Sequence, residues 1–178
     1  LKGNKINFPS ISVGATENAI LAAIFAKGET CITNAAMEPE VQDLCNCLVS
    51  LGGKIEGIGS STILIEGVNS LKEGHYKVIS DRIEASSFII AAAITKSELS
   101  INNFNTEHIK AFLKVLEKMQ LNFKAYPTNI RVYKSDILKS IDIKTAAYPG
   151  FPTDIQAQIV TLACLSSGHS QVQENIFE

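Results

Sequence analysis

The amino-acid sequence predicts an α/β (α+β) fold assembled from repeated units, and three observations support this. Residues 12–68 resemble residues 81–133 in the order and character of their segments. A third, shorter copy begins at residue 151. In every copy, helical stretches of small residues alternate with short runs of β-branched residues. Because a unit of this size cannot cover its own apolar helix face, neighbouring copies are expected to pack together.

Each copy opens with a helix of small and apolar residues, followed by a polar turn and a strand. The helices are predicted at residues 15–26, 85–95 and 155–165, and the strands at residues 30–33, 99–102 and 170–173. In the first helix Ile20, Leu21, Ile24 and Phe25 leave little polar surface. Helices of this kind lie inside a layer rather than on a surface.

The first two copies continue with an amphipathic helix and two short strands. Apolar residues recur at helical spacing, at Val41, Leu44, Leu48 and Leu51 and again at Ile109, Phe112, Leu116 and Met119. The polar side of these helices is expected to face solvent. Strands follow at residues 54–56 and 62–66, then at 122–125 and 129–133, and another strand-like segment (residues 4–8) precedes the first copy.

Composition excludes several classes of function. The net charge is −2, and the basic residues are scattered rather than gathered in the stripe of a nucleic-acid binder. The longest apolar stretch, residues 19–26, is too short to span a bilayer. Since no signal peptide is recognisable either, the sequence predicts a cytoplasmic protein without nucleic-acid or membrane partners.

The cysteines and histidines do not form a metal-binding pattern. Cys45 and Cys47 lie two residues apart in a predicted helix, so their side chains point to nearly opposite faces. The three histidines are far apart in the chain. We therefore expect four buried, reduced thiols and no metal.

The helix starts are the candidate binding sites, because a helix start exposes unpaired N–H groups and the positive end of the helix dipole. The first start, at Ser12 to Gly14, carries no acid and has a glycine that allows close approach of a phosphate. The alternative is that Ser12 is only an N-cap and Gly14 only relieves strain.

Two further helix starts carry carboxylates. Asp81 and Glu84 fit a capping box, so a structural role is favoured for them. Asp154 follows two prolines and a glycine, and a rigidly held carboxylate there suits a general base for a sugar hydroxyl. Thr153 is an alternative cap for the same helix, and both interpretations stay open.

Four segments in register resemble one family along the whole chain. They are SVGATEN at residues 12–18, NAAMEPEV at 34–41, DRIE at 81–84 and FPTDIQAQ at 151–158. Together they resemble the enolpyruvyl transferases that act on UDP-N-acetylglucosamine. The related enolpyruvyl transferases that act on shikimate 3-phosphate look similar in their repeats but lack these strings.

The resemblance implies a fold of two inside-out α/β barrels, each made of three βαβαββ units with inner helices. Residues 1–79 would end the first barrel and residues 80–178 would begin the second, with the substrate cleft between the barrels. The chain is then expected to be an internal piece of a longer protein, incomplete at both ends.

The activity implied is transfer of the enolpyruvyl group of phosphoenolpyruvate to the 3′-hydroxyl of UDP-N-acetylglucosamine, the first committed step of peptidoglycan synthesis. No cofactor is implied, and the full-length protein is expected to be a monomer. By position, Asp154 would be the base and Ile176 would lie beside the substrate through its backbone. The UDP group would contact Ser10, Ile11, Ser12, Val13 and Gly14.

The chain also departs from the family pattern. Ser10 stands where some members of the family have lysine, Met37 where arginine is common, and Tyr148 where some members have histidine. The family's mobile loop with its reactive cysteine has no counterpart, so none of the four cysteines is expected to be catalytic and this piece alone is expected to be inactive. Two alternatives remain, a transferase for shikimate 3-phosphate and a non-enzymatic repeat module that binds a nucleotide sugar.

Overall fold

A computed structural model describes residues 1–177 of the chain. The chain divides into two compact units, Leu1–Ile79 and Ser80–Glu178. Each unit has its own hydrophobic core of buried helix and strand residues. Whether the two units belong to larger barrels stays a prediction.

The first unit is one complete βαβαββ repeat. Its elements are β1 (Lys5–Asn7), α1 (Val13–Ala23), β2 (Glu29–Thr33), α2 (Pro39–Ser50), β3 (Lys54–Glu56) and β4 (Thr62–Glu66). They form one sheet in the order β1-β2-β4-β3, in which β1 and β2 are parallel and the other pairs are antiparallel. The helix α1 provides the crossover that a parallel pair requires.

The core of the first unit lies between its sheet and its two helices. Ile20 and Ile24 from α1 are almost fully buried, with Ile32, Ile63 and Ile65 from the sheet. On α1, however, Leu21 is 50% exposed and Phe25 just beyond the helix is 53% exposed. The helix is therefore apolar around most of its circumference, as predicted, but buries only one face.

The second unit contains the next two copies of the repeat. Its elements are α3 (Arg82–Ile94), β5 (Leu99–Asn102), α4 (Lys110–Lys118), β6 (Phe123–Tyr126), β7 (Asn129–Val132), β8 (Asp142–Lys144), α5 (Gln156–Ala163) and β9 (Gln171–Gln173). Short 3-10 turns at Thr106–Ile109 and Thr153–Ile155 lead into α4 and α5. One antiparallel sheet has the order β5-β7-β6, and β8 pairs in parallel with β9.

The core of the second unit is formed mainly by its helices. Ile89 of α3, Phe112 and Leu116 of α4 and Ile159 of α5 are fully buried. The Phe112 ring lies 6.3 Å from the Phe151 ring between centroids, so the segment before α5 is anchored in this core.

The three copies differ at their first strand. The first copy begins with β1, and the third begins with β8, a strand that the sequence did not predict. The second copy has no such strand, because residues 67–81 between β4 and α3 form neither strand nor helix. The segment before α3 is instead hydrogen-bonded to α2. The Tyr76 hydroxyl donates to Oδ1 of Asp43 at 2.7 Å, and the Ile79 N–H donates to Oδ2 at 3.4 Å.

The prediction of four buried thiols is only partly correct. Cys45 is buried, and burial raises the pKa of its thiol to about 11. Cys31 and Cys47 are partly exposed, and Cys164 is exposed. Position 164 falls on the face opposite Ile159 and Leu162, which explains its exposure.

The described part of the chain contains no group of three or more His, Cys, Asp or Glu side chains placed to hold a metal ion. Within residues 1–177, no helix combines the length and the apolar character needed to cross a membrane.

Candidate functional site

The predicted site residues lie at the carboxyl ends of parallel strands. Residues 10–14 follow β1, Asp154 lies at the start of the helix that follows β8, and Ile176 follows β9. Loops at this edge of parallel strands are the usual ligand sites of α/β proteins. The structure therefore gives the first and third copies of the repeat equivalent candidate positions.

The start of α1 is fixed by two hydroxyl groups. The Ser12 Oγ accepts a hydrogen bond from the Ala15 N–H at 3.3 Å, which makes Ser12 the N-cap. The buried Thr16 hydroxyl donates to the Ser12 carbonyl at 2.7 Å and accepts from the Ala36 N–H at 3.0 Å. The helix start is thus held both by its own cap and by the loop that follows β2.

Gly14 is not needed for packing or for backbone strain. A Cβ atom at this position would meet nothing within 4 Å, and Gly14 is not among the residues with positive φ. The capping part of the alternative interpretation is confirmed for Ser12, while the strain part is wrong for Gly14. In the part of the chain that the structure describes, the N–H groups of Val13 and Gly14 donate no hydrogen bond.

Acidic side chains lie close to α1 and oppose the binding of an anion. Burial, and then the carboxylates of Glu40 and Glu38, raise the pKa of Glu17. Ser10 and Ile11 are exposed and neutral and supply no compensating charge. A phosphate at this helix start would therefore depend on the backbone N–H groups and on cations from outside this loop.

Asp154 is an exposed carboxylate on a firmly anchored turn. Its neighbour Ile155 is fully buried, and Phe151 on the other side is 6% exposed. The approach contains a cis peptide bond between Tyr148 and Pro149. Asp154 makes no hydrogen bond or ion pair within residues 1–177, so its carboxylate is available to a substrate.

Thr153 does not cap the helix that begins beside Asp154. Pro152 is the N-cap of the 3-10 turn and Ile155 is the N-cap of α5, while the Thr153 hydroxyl donates to Oε2 of Glu174 at 2.8 Å. The interpretation of Thr153 as a cap is therefore wrong, because a carboxylate from a distant segment binds its hydroxyl.

Glu174 connects the segments around Asp154 and was missed by the sequence analysis. Its Oε1 accepts from the Thr145 hydroxyl and from the Ile176 N–H, both at 2.7 Å, and from the Phe177 N–H at 3.3 Å. Its partners Thr145 and Thr153 are 29 and 21 residues away, so no local pattern could reveal the contacts.

The charge of Glu174 is set by these contacts. Partial burial acts to raise the pKa of Glu174, but the hydrogen bonds from Ile176, Thr145, Thr153 and Phe177 outweigh it and lower the pKa to about 2. Glu174 thus stays ionised near neutral pH, and it accepts hydrogen bonds rather than exchanging protons.

Asp81 has the structural role that the sequence favours. Its Oδ1 accepts from the N–H groups of Ile83 at 2.7 Å and Glu84 at 3.1 Å, as an N-cap of α3 does. These two N–H groups are consequently not available to a ligand.

A basic groove lies beside the segment that leads to Asp154. Its volume is about 500 Å³, and its walls include Tyr148, Pro152, Arg82, Lys110, Lys114 and Lys118. The Arg82 guanidinium lies 6.0 Å from the centroid of the Tyr148 ring. Lys110 pairs with Glu107 at 3.1 Å, so part of the positive charge is offset within the groove.

A family comparison agrees with the repeat architecture. The family described as EPSP synthase (3-phosphoshikimate 1-carboxyvinyltransferase) matches residues 1–178 of the chain.

The chain belongs to the EPSP synthase family.

Curated members similar to this chain bear a more specific name. The chain is 48% identical over 180 residues to a protein of Rickettsia akari and 46% identical over 178 residues to one of Halothermothrix orenii. It is 44% identical over 179 residues to one of Rhodospirillum centenum. All three are named UDP-N-acetylglucosamine 1-carboxyvinyltransferase, and each alignment covers 100% of this chain but only 41% to 43% of the relative.

Solved structures show the same fold at lower identity. The enolpyruvyl transferase NikO from Streptomyces tendae matches with a TM-score of 0.80 and 22% identity, over 91% of this chain and 39% of that chain. An EPSP synthase from Acinetobacter baumannii matches with a TM-score of 0.69 and 20% identity, over 97% of this chain and 40% of that chain. The enolpyruvyl transferase fold predicted from the sequence is therefore confirmed.

Proposed function

We propose that the protein containing this chain transfers the enolpyruvyl group of phosphoenolpyruvate to the 3′-hydroxyl of UDP-N-acetylglucosamine and releases phosphate. The observation that carries the proposal is the identity of 44% to 48% over the whole chain to relatives that bear the name of this activity. The chain spans about two fifths of the length of those relatives, and further residues of the active enzyme are expected outside it.

The site residues have the properties that this reaction requires. The open N–H groups of Val13 and Gly14 suit a phosphate of the UDP group. Asp154 has an exposed carboxylate that no other described residue binds, and it lies on a turn that the buried residues around it hold in place. Such a carboxylate suits a general base, which must reach the proton that it removes.

In the proposed reaction, Asp154 takes the proton of the 3′-hydroxyl as the hydroxyl oxygen bonds to C2 of phosphoenolpyruvate. A proton is added to C3 at the same stage, from a donor that we do not assign to this chain. The tetrahedral intermediate then loses a proton from C3 and phosphate from C2, which restores the double bond in the enolpyruvyl ether. Charge develops near the phosphate during both steps, so cationic groups around it would speed them.

The proposal places the protein in the cytoplasm, as a monomer, at the first committed step of peptidoglycan synthesis. It thereby links the protein to cell-wall formation, cell shape and cell division. The substrates are two small molecules, and no cofactor takes part.

A second candidate acceptor is shikimate 3-phosphate, because the matching family is described by that activity. Phosphate release by the intact protein decides between the two acceptors. We expect release with phosphoenolpyruvate and UDP-N-acetylglucosamine, and only background release with shikimate 3-phosphate. Release with shikimate 3-phosphate alone would overturn the proposal, and release with neither acceptor would favour a non-enzymatic binding module.

A further inference from the structure

The carboxylate of Glu174 joins three chain segments at the carboxyl edge of the β8–β9 pair. Thr145 directly follows β8, Glu174 directly follows β9, and Thr153 opens the turn that carries Asp154. One carboxylate oxygen binds the hydroxyl of Thr145 and the other binds the hydroxyl of Thr153. Glu174 therefore connects the end of a strand with the residue next to Asp154.

The same carboxylate fixes the orientation of the segment that contains Ile176. The N–H groups of Ile176 and Phe177 both donate to Oε1 of Glu174. Because the Ile176 N–H is used in this way, the carbonyl oxygen is the backbone group of Ile176 that can contact a ligand. A carbonyl oxygen accepts hydrogen bonds, so it would meet a donor such as a sugar hydroxyl or an amide N–H.

The buried Thr145 hydroxyl completes the arrangement. It donates to Glu174 at 2.7 Å and accepts from the Asn175 N–H at 2.8 Å. Thr145 is only 1% exposed. The carboxylate is thus supported from the core side by a group that has little freedom to move.

The other copies of the repeat lack this carboxylate. In the first copy the residue that directly follows β2 is Asn34, and its side-chain amide donates to the Phe8 carbonyl at 2.9 Å. In the second copy the residue after β5 is Asn103. A glutamate therefore occurs at this position only in the copy that carries the candidate base.

We propose that Glu174 is a positioning residue, which holds Asp154 through Thr153 and turns the Ile176 carbonyl toward the acceptor sugar. This inference rests on the proposed function and adds a residue to its site. Small displacements of a reacting group can cost a factor of about 100 in rate, so the contact has a measurable kinetic consequence.

The test compares Glu174→Gln with wild type in the intact protein, with phosphoenolpyruvate and UDP-N-acetylglucosamine as substrates. We expect kcat to fall roughly ten- to hundredfold, and the KM for UDP-N-acetylglucosamine to rise while the KM for phosphoenolpyruvate stays within twofold. A purely structural role would lower the amount of folded enzyme and leave both KM values unchanged. Glu117→Gln, at an exposed position on α4, is the matched control.

Variants of Thr153 test the path through which Glu174 acts and cover the case in which Glu174→Gln fails to fold. Thr153→Val should lower kcat, as Glu174→Gln does. Thr153→Ser keeps the hydroxyl and should retain activity close to wild type. If the path is correct, Glu174→Gln combined with Thr153→Val loses little more than Glu174→Gln alone.

The outcomes separate this inference from the proposed function. An inactive wild-type protein would overturn both. An active wild type with unchanged kinetics in Glu174→Gln would overturn only the positioning role, as would fully additive losses in the double variant.

Discussion

Asp154 combines an exposed side chain with a backbone that is held from both sides. Phe151 and Ile155 lie in the core of the second unit, and Thr153 is bonded to Glu174. Within residues 1–177 the carboxylate makes no hydrogen bond or ion pair, so its position is set by the backbone that its neighbours hold. An anchored backbone with an available side chain suits a general base, which needs both a fixed location and a free proton acceptor.

The role of Asp154 can be tested by removing its charge. In Asp154→Asn we expect kcat to fall by a factor of about 10² to 10⁴, because an amide cannot take the proton of the hydroxyl. The KM for UDP-N-acetylglucosamine should change little, and the melting temperature should stay close to that of wild type, since the exposed side chain makes no hydrogen bond or ion pair within residues 1–177. Steady-state phosphate release and a thermal melt check both expectations.

Asp136→Asn is the matched control for this variant, because Asp136 is exposed and its contact with Lys134 is a long surface ion pair of 3.4 Å. Turnover of Asp154→Asn within twofold of wild type would exclude Asp154 as the base.

At the scale of elements, the starts of α1 and α3 differ in which of their backbone N–H groups are bound by a capping side chain. The start of α3 is closed by Asp81, which takes two of its N–H groups. The start of α1 is capped by Ser12 at Ala15, and within residues 1–177 its first two N–H groups, those of Val13 and Gly14, donate no hydrogen bond. These two N–H groups are the donors that we propose for a phosphate.

Substitutions at Gly14 test this helix start. We expect Gly14→Val to weaken the binding of UDP-N-acetylglucosamine roughly tenfold or more, as its branched side chain would crowd a phosphate at the open N–H groups. Gly14→Ala adds a single methyl group and should have a smaller effect on binding. Both variants should fold, and the alanine variant should gain up to about 1 kcal/mol in the free energy of unfolding.

Calorimetry gives the affinities for this test, and chemical denaturation gives the stabilities. If the valine variant binds UDP-N-acetylglucosamine as tightly as wild type, residues 10–14 do not form the phosphate site.

The sequence predicted most elements because their signals are local. The strands β3, β4 and β5 have the bounds that their turns and β-branched residues indicate. The start of α1 at Val13, two residues before the predicted start, follows from the Ser12 cap. By contrast, β8 has only three residues, and it pairs with β9, 29 residues further along the chain.

The candidate site was predictable only in part, because local sequence patterns do not reveal contacts between residues that are distant in the chain. Ser12 and Asp154 were visible through helix-start chemistry and through family resemblance. Glu174 was not, because its importance comes from contacts with Thr145 and Thr153 that exist only in the folded chain. The exposure of Leu21 was equally hidden, since periodicity shows that a helix is apolar but not which neighbour covers it.

At the scale of the whole molecule, the segment that joins the two units is tied to the first unit. Residues 67–81 contain no helix or strand. Tyr76 and Ile79 attach this segment to Asp43, which is 8% exposed on α2. The end of the first unit is therefore fixed by polar contacts rather than by a sheet.

The contact between Tyr76 and Asp43 should be detectable by hydrogen exchange. The hydrogen bond to Asp43, together with burial and the negative charge of Asp43, raises the pKa of Tyr76 from its ordinary value of 10.0 to about 12. In Tyr76→Phe we expect exchange in residues 70–80 to be roughly tenfold faster at neutral pH, since a hydrogen bond to a charged group contributes about 1.5 kcal/mol or more. Tyr126→Phe, at an exposed tyrosine, is the control.

The same contact has a defined pH dependence. Because the pKa of Tyr76 is raised in the folded state, the contribution of the contact to stability is complete below pH 10 and is lost as the pH rises toward 12. A tyrosinate absorbance step near pH 12 should be present in wild type and absent in Tyr76→Phe. Equal exchange rates in both proteins would show that the contact does not hold the segment.

The strands β8 and β9 pair in parallel over three residues, as β1 and β2 do, and an α-helix connects the strands of each pair. In our proposal the first copy binds a phosphate at the start of α1, and the third copy supplies Asp154 as the base and Glu174 as the residue that positions it. The two roles then depend on the loops that follow the strands, while the strand–helix–strand arrangement is common to both copies.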